Sequence, residues 1–109
     1  MSQNIQVQTS SGNVFADMGL ENPDELLVKA ELARKISKVI ELQKMTQTQA
    51  AEVLGIDQPK VSSLINGKLS GFSVMRLFRF LNMLGSDVEI VVKAKPESRQ
   101  QAQMRVVAS

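Results

Sequence analysis

Apolar residues are spaced most regularly between residues 47 and 66, where their pattern predicts two short helices joined by a turn. They recur there at intervals of three and four, which predicts one buried face on each helix. These residues are Ala50, Val53 and Leu54 in the first helix and Val61, Leu64 and Ile65 in the second. The pair of helices is therefore the centre of the predicted fold.

The residues between the two helices predict a sharp turn and a capped second helix. Gly55 follows the first helix, and a residue without Cβ adopts positive φ at no steric cost. Thr46 can cap the first helix and Asp57 the second, each by accepting a hydrogen bond from free backbone N–H groups. Pro59 then lies in the first turn, where the donor that it lacks would have no partner within the helix.

The second helix has a polar face opposite its apolar residues. This face carries Pro59, Ser62, Ser63 and Asn66, with Gln58 at its margin, and no carboxylate occurs among them. Such a face suits close contact with a polar, anionic partner. The DNA major groove fits this description, because Gln can form two hydrogen bonds with adenine and Ser suits several base edges.

The spacing of these residues resembles the helix-turn-helix of the lambda-repressor/Cro-like (XRE) family. That family favours apolar residues at the fourth, eighth, tenth, fifteenth and eighteenth motif positions, a small residue at the fifth and Gly at the ninth. The chain has Ala50, Leu54, Ile56, Val61, Leu64, Ala51 and Gly55 there, and Gln47 and Gln58 at the first and twelfth, where the family often has Gln. The resemblance implies a mainly all-α fold, a lambda-repressor-like DNA-binding helical bundle.

Segments outside the motif resemble a narrower group of small bacterial regulators, and the resemblance runs roughly from Asn13 to Val92. The segments that carry it are NVFADMGL, LARKISKVIE and IDQPKVSSLINGKLSGFSVMRLFRFLNMLGSDVEIVV. Many members of that group are encoded beside a toxin and act as its antitoxin, and such antitoxins commonly repress their own operon. The resemblance implies double-stranded DNA and a cognate toxin as partners. A homodimer, predicted from residues 86–93, would require a palindromic operator.

Two further helices are predicted outside the motif. Asn22 can cap a helix that ends near Gln43, and Ser73 can cap another that ends at Gly85. A small additional turn is expected near residues 69–72. With the two helices of the motif, these make a bundle of four main helices.

Residues 87–93 change to a pattern typical of a β-strand, since Val88, Ile90 and Val92 alternate with other side chains. One strand alone cannot satisfy its own backbone groups. The strand could pair with any of three partners. These are a second copy of the chain, another protein, or the segment Val14–Met18, which is itself either a short strand or a loop.

The chain is expected to form one domain with two tails. Residues 13–95 make up the helix-turn-helix domain, with the motif at 47–66 and the strand at 87–93. Residues 1–12 are polar and are expected to be disordered, and residues 96–109 are expected to be a flexible tail.

The composition argues against an enzyme. The 109 residues include no Cys, His, Tyr or Trp, which removes the commonest general base, the commonest metal ligand and any disulfide. A Ser-Lys pair near Lys60 is conceivable, but a DNA-facing helix explains those residues better. No cofactor or metal is predicted, no segment resembles a membrane span or a signal peptide, and the cytoplasm is the expected location.

The charge is unevenly distributed along the chain. Residues 1–57 carry five Lys/Arg and eight Asp/Glu, a net charge of −3. Residues 58–109 carry eight Lys/Arg and three Asp/Glu, a net charge of +5. The sign changes at the start of the second motif helix, as a DNA-facing half would require, although chance could also split so few charges this way.

The motif predicts two sets of DNA contacts, and the segments after it predict a dimer surface. The residues expected to lie toward the bases are Gln58, Pro59, Lys60, Ser62 and Ser63. By resemblance to the family and from their place at helix ends, those expected to contact phosphates are Thr46, Gln47, Asn66 and Lys68. Those expected at a dimer interface are Phe80, Met83, Val88, Ile90 and Val92, although the first two could instead form the rim of the core.

The predicted function is a sequence-specific DNA-binding transcriptional regulator that represses its target. By resemblance, it would be the antitoxin of a toxin–antitoxin pair that regulates its own operon. The alternative is a protein-interaction module whose main act is binding and neutralising a toxin, with DNA binding secondary. The two roles can coexist in one protein.

Overall fold

The computed structural model describes residues 22–107, which contain four α-helices. The helices are α1 (Pro23–Leu42), α2 (Gln47–Leu54), α3 (Gln58–Ile65) and α4 (Val74–Met83). The predicted all-α bundle is confirmed. The expected tail at residues 1–12 and the expected strand or loop at Val14–Met18 lie outside the described residues.

Each helix begins at a polar cap that the sequence predicts. The Asn22 side chain accepts a hydrogen bond from the backbone N–H of Asp24 at 2.7 Å, and Pro23 follows at the first helical position. Ser73 accepts in the same way from the backbone N–H of Arg76 at 3.1 Å. These caps fix where the helices start, and their apolar faces decide how they pack.

The core lies between all four helices. Helix α1 packs against α3 and α4, and α2 packs against the same two helices. The buried apolar residues are Val28, Leu32, Ala33, Ile36, Ile40, Ala50, Ala51, Leu54, Val61, Leu64, Phe72, Leu77, Phe80, Leu81 and Leu84. The side-chain amide of Gln43 donates to the carbonyl oxygen of Leu84 at 2.8 Å, which joins the ends of α1 and α4.

Both predicted turns around the motif are present. Gly55 ends α2 in the left-handed conformation with φ of +70°. Near residues 69–72, the backbone N–H of Phe72 donates to the carbonyl oxygen of Leu69 at 3.0 Å. This turn places Phe72 in the core before α4 begins.

The edges of the predicted helix faces need correction. Val53 and Ile65 were expected in the core, but 43% and 38% of their surfaces are exposed. Helix α2 instead buries Ala51, together with Ala50 and Leu54. The spacing of apolar residues located the centre of each face correctly but not its margin.

Phe80 is a core residue of the chain itself, and only 2% of its surface is exposed. Its ring makes an edge-to-face contact with Phe72 at a centroid separation of 5.9 Å. It therefore has almost no surface to offer a second subunit, which corrects its assignment to a dimer interface. Met83, assigned to the same interface, is 52% exposed.

The predicted C-terminal β-strand is absent from the structure. Residues 87–95 form no helix or strand and make no backbone hydrogen bond to another described residue. The alternating pattern is present in the sequence. A β-strand forms, however, only when a second strand pairs with its backbone, and residues 22–107 contain no such second strand. Val88 and, near the end of the described chain, Val106 still pack against the core.

None of the helices in the described part of the chain is both long and apolar enough to cross a lipid bilayer.

Gly55→Ala should lower the free energy of unfolding by about 1–2 kcal/mol, because an L-residue pays a steric cost at positive φ. Gly71→Ala is the matched control, since a new Cβ meets no atom within 4 Å at either position but only Gly55 has positive φ. Urea denaturation of both variants measures the difference. Equal midpoints for the two would show that the turn does not depend on the conformation of Gly55.

Candidate nucleic-acid interface

Helix α3 has one buried side and one polar side. Val61 and Leu64 are almost completely buried, which fixes the rotation of this helix on the bundle. Of the residues predicted to face bases, Gln58, Pro59 and Lys60 are exposed, whereas Ser62 and Ser63 are partly buried. The structure therefore brings all five together on one helix, with the most accessible three in its first turn.

The start of α3 is held by Asp57. Its carboxylate accepts a hydrogen bond from the backbone N–H of Lys60 at 3.0 Å. This carboxylate caps the end of the helix. Residues 58–66, which follow it, include no Asp or Glu and so contribute no negative charge. A helix face that lacks acids can approach a polyanion without like-charge repulsion.

Two side-chain hydrogen bonds order the polar side of α3. The Gln58 Nε2 group donates to the Thr48 hydroxyl oxygen on α2. The Asn66 Nδ2 group donates to the Ser62 hydroxyl oxygen at 3.2 Å. Thr48 was not among the predicted site residues, because its contact with Gln58 joins two different helices and has no signature in local spacing.

The N-terminus of α2 lies beside this side of α3. Thr46 accepts a hydrogen bond from the Gln49 backbone N–H at 3.1 Å, and the Gln49 side chain accepts from the Thr46 backbone N–H at 2.9 Å. The backbone N–H groups of Gln47 and Thr48 donate to no backbone carbonyl among the described residues. Free donors at a helix N-terminus favour an anion.

Basic groups flank α3 at both ends. Lys68 is exposed in the loop that follows the helix. Near the beginning of the helix, a shallow depression is lined by Lys60 and Arg76 but also by Glu52 and Asp57. The site therefore combines neutral amides and hydroxyls with cations at its edges, and two carboxylates lie beside the cations at the start of α3.

Arg76 is a site residue that the sequence analysis missed. Its guanidinium lies 5.5 Å from the ring centroids of both Phe72 and Phe80. Phe80 lies four residues after Arg76 on α4, and this spacing was the available signal, since residues four apart lie on one side of a helix. The two rings hold this cation at the edge of the depression that Gln58 and Lys60 also line.

This arrangement, two short helices joined by a glycine turn with a polar second helix on a bundle, defines a helix-turn-helix protein. A family model described as a helix-turn-helix domain matches residues 14–93. A solved structure described as "Putative XRE Family Transcriptional Regulator" is 50% identical to this chain with a TM-score of 0.75, and the match covers 79% of this chain and 97% of that chain. The chain belongs to the XRE-like helix-turn-helix family of DNA-binding transcription regulators.

No curated protein matches the chain.

Thr46→Ala should lower the free energy of unfolding by about 1 kcal/mol, because it removes one half of the capping box at the start of α2. Thr46→Ser is the matched control, since it keeps the hydroxyl that accepts from Gln49 and should stay close to the original stability. Denaturant midpoints of the two variants test this. An unchanged midpoint for Thr46→Ala would mean that the cap does not stabilise α2.

Proposed function

We propose that the protein is a repressor that binds operator DNA sequence-specifically, with α3 in the major groove. The observation that supports this most directly is the polar, acid-free side of α3, oriented outward by the burial of Val61 and Leu64. Nothing in this role requires catalysis or a cofactor, and it places the protein in the cytoplasm with its DNA. The family assignment of the chain agrees with this role.

The side chains of α3 divide into two groups by their position on the helix. Gln58, Pro59 and Lys60 occupy the first turn, where residues of a groove-bound helix meet base edges, and Ser62 and Ser63 follow on the same helix. Gln58 carries both a donor and an acceptor at its tip, which suits adenine. We propose that these five residues lie toward the bases.

Phosphate contacts are proposed at the two ends of the motif. Thr46 and Gln47 lie at the N-terminus of α2, where free backbone donors favour an anion. Asn66 and Lys68 lie at and beyond the C-terminal end of α3 and are exposed. Contacts on either side of the groove would fix the position of α3 without distinguishing one sequence from another.

Gln58→Ala and Lys68→Ala should separate base contacts from phosphate contacts. Gln58→Ala should weaken binding to the operator by ~1–3 kcal/mol and change binding to scrambled DNA little, because it removes a base contact. Lys68→Ala should weaken both duplexes alike and reduce the salt slope by about one unit, because it removes one phosphate contact.

The measurement is a salt titration of binding to an operator selected from random duplexes and to its scrambled version. Both side chains are exposed, so thermal unfolding of the variants should match that of the original chain. If Gln58→Ala weakens both duplexes equally, its assignment to the bases is wrong. If neither variant affects binding, DNA is not the partner of this helix face.

We also propose that the protein acts as a homodimer on a palindromic site. The support comes from residues 87–95, whose backbone groups lack partners among the described residues. Ile90 and Val92 are 70% and 91% exposed, and Met83 on α4 is also exposed. Pairing of this segment with its copy would satisfy the backbone and cover the apolar side chains, with Val88 beside them. A dimer would place its two α3 helices about 34 Å apart, one DNA turn.

Ile90→Lys should shift the protein from dimer to monomer, because it puts a charge on the side of the segment expected to face the second subunit. Val91→Lys is the matched control, since alternation puts Val91 on the other side with Glu89 and Lys93. Sedimentation of the original chain and both variants, with and without DNA, measures the shift. An original chain that stays monomeric well above its operator affinity would rule out the dimer.

The antitoxin role is a proposal that rests on the group of regulators that the sequence resembles. Toxin binding would use a surface other than α3, and Leu26 and Leu27, both at least half exposed on α1, lie outside the motif. The test is co-expression with the product of the neighbouring reading frame. Growth arrest by that product alone, relieved when this chain is co-expressed, would support the role. Absence of any arrest would leave repression as the whole function.

A further inference from the structure

The segment that follows α4 returns to the core near its end. Val88 at the start of this segment and Val106 close to its end both pack against the core. The residues between them are exposed, except for Arg99, which is partly buried. The segment is therefore a surface loop that is held to the bundle at both ends.

A local turn gives shape to the middle of this loop. The backbone N–H of Arg99 donates to the carbonyl oxygen of Pro96 at 3.2 Å. The Lys95 ammonium donates to the carbonyl oxygen of Arg99 at 2.7 Å, and the Arg99 guanidinium donates to that of Gln101 at 3.4 Å. These bonds and the two anchors reduce the conformational entropy that the loop would lose on binding a partner.

Residues 93–105 of the loop, the basic segment, carry an excess of positive charge. The cations are Lys93, Lys95, Arg99 and Arg105, and the single acid is Glu97, which gives a net charge of +3. Within residues 22–107, the side chains of Lys93 and Arg105 form no hydrogen bond or ion pair. Two exposed cations are therefore available to a partner on an anchored loop.

The side chains of the basic segment suit a phosphate backbone. Lys and Arg neutralise phosphates, and Ser98 and the three glutamines between Arg99 and Arg105 are of the kind that donate hydrogen bonds to phosphate oxygens. An acidic protein surface would also attract the cations. DNA is the favoured partner, because it is the polyanion that the motif itself is proposed to bind.

We propose that the basic segment is a second DNA-binding surface, which contacts the phosphate backbone while α3 lies in the major groove. The proposal rests on the DNA-binding function proposed above and adds a contact outside the motif. Phosphate contacts carry no direct information about sequence. The segment should therefore raise the affinity for every duplex and leave the preference for particular bases to α3.

The experiment neutralises the two available cations in the full chain with the double variant Lys93→Gln/Arg105→Gln. Lys38→Gln/Arg79→Gln is the matched control, since it removes the same charge from exposed positions on α1 and α4. Binding of each protein to its selected operator and to the scrambled duplex is measured over a range of salt concentrations. Thermal unfolding confirms that each variant is folded at the temperature of the measurement.

The decisive quantity is the slope of the logarithm of affinity against the logarithm of salt concentration. Lys93→Gln/Arg105→Gln should reduce this slope by about two units for each bound chain, on both duplexes, whereas the control should stay close to the original. The sequences that the variant selects from random duplexes should match those that the original chain selects.

Val106→Ser tests whether the anchoring of the loop matters. It should keep the salt slope, because every cation remains. It should weaken binding to both duplexes roughly threefold to tenfold, because a released segment must be ordered when it binds. An unchanged affinity would overturn the role given to this anchor.

The outcomes separate this inference from the function on which it rests. If Lys93→Gln/Arg105→Gln keeps the original slope while Lys68→Ala lowers it, the basic segment does not contact DNA and DNA binding by the motif stands. An equal fall in slope for the control would show an effect of net charge alone and would also overturn the inference. If the original chain binds neither duplex, both proposals are overturned.

Discussion

The burial of Val61 and Leu64 is the constraint on which the site depends. Helix α3 has only eight residues, and isolated helices of that length are not stable in water. Burying each of these side chains stabilises the folded chain by about 1.5–3 kcal/mol. Because the two residues anchor one side of α3, the opposite side is presented outward in a fixed rotation, and its polar residues form a single surface.

The turn between α2 and α3 determines where α3 begins. Gly55 reverses the chain in the left-handed conformation, and Asp57 caps the next helix two residues later. Gln58 Nε2 at the start of α3 donates to the Thr48 hydroxyl oxygen near the start of α2. This contact engages one polar group of α3 with α2, whereas the exposed side chain of Lys60 in the same turn makes no such bond within residues 22–107, and Asp57 serves as the cap.

The segment after α4 shows how a correct local pattern can fail to give the expected structure. Val88, Ile90 and Val92 alternate as in a strand, but strand formation requires hydrogen bonds to a second strand. The described part of the chain contains none, so the segment stays irregular, with Val88 against the core and Ile90 and Val92 exposed. A helix satisfies its own backbone, which is why the same kind of pattern was reliable for α1 to α4.

The sequence by itself determined the four helices, their caps at Asn22, Thr46, Asp57 and Ser73, and the polar, acid-free side of α3. These features depend on spacing and on residues within one turn of each other. Only the tertiary structure decided that Phe80 is buried, that Ile65 is partly exposed, and that Arg76 lies against the ring of Phe72. It also paired Gln58 with Thr48. The margin of a helix face and the partner of a side chain depend on which neighbouring helix packs there, and local spacing carries no information about that.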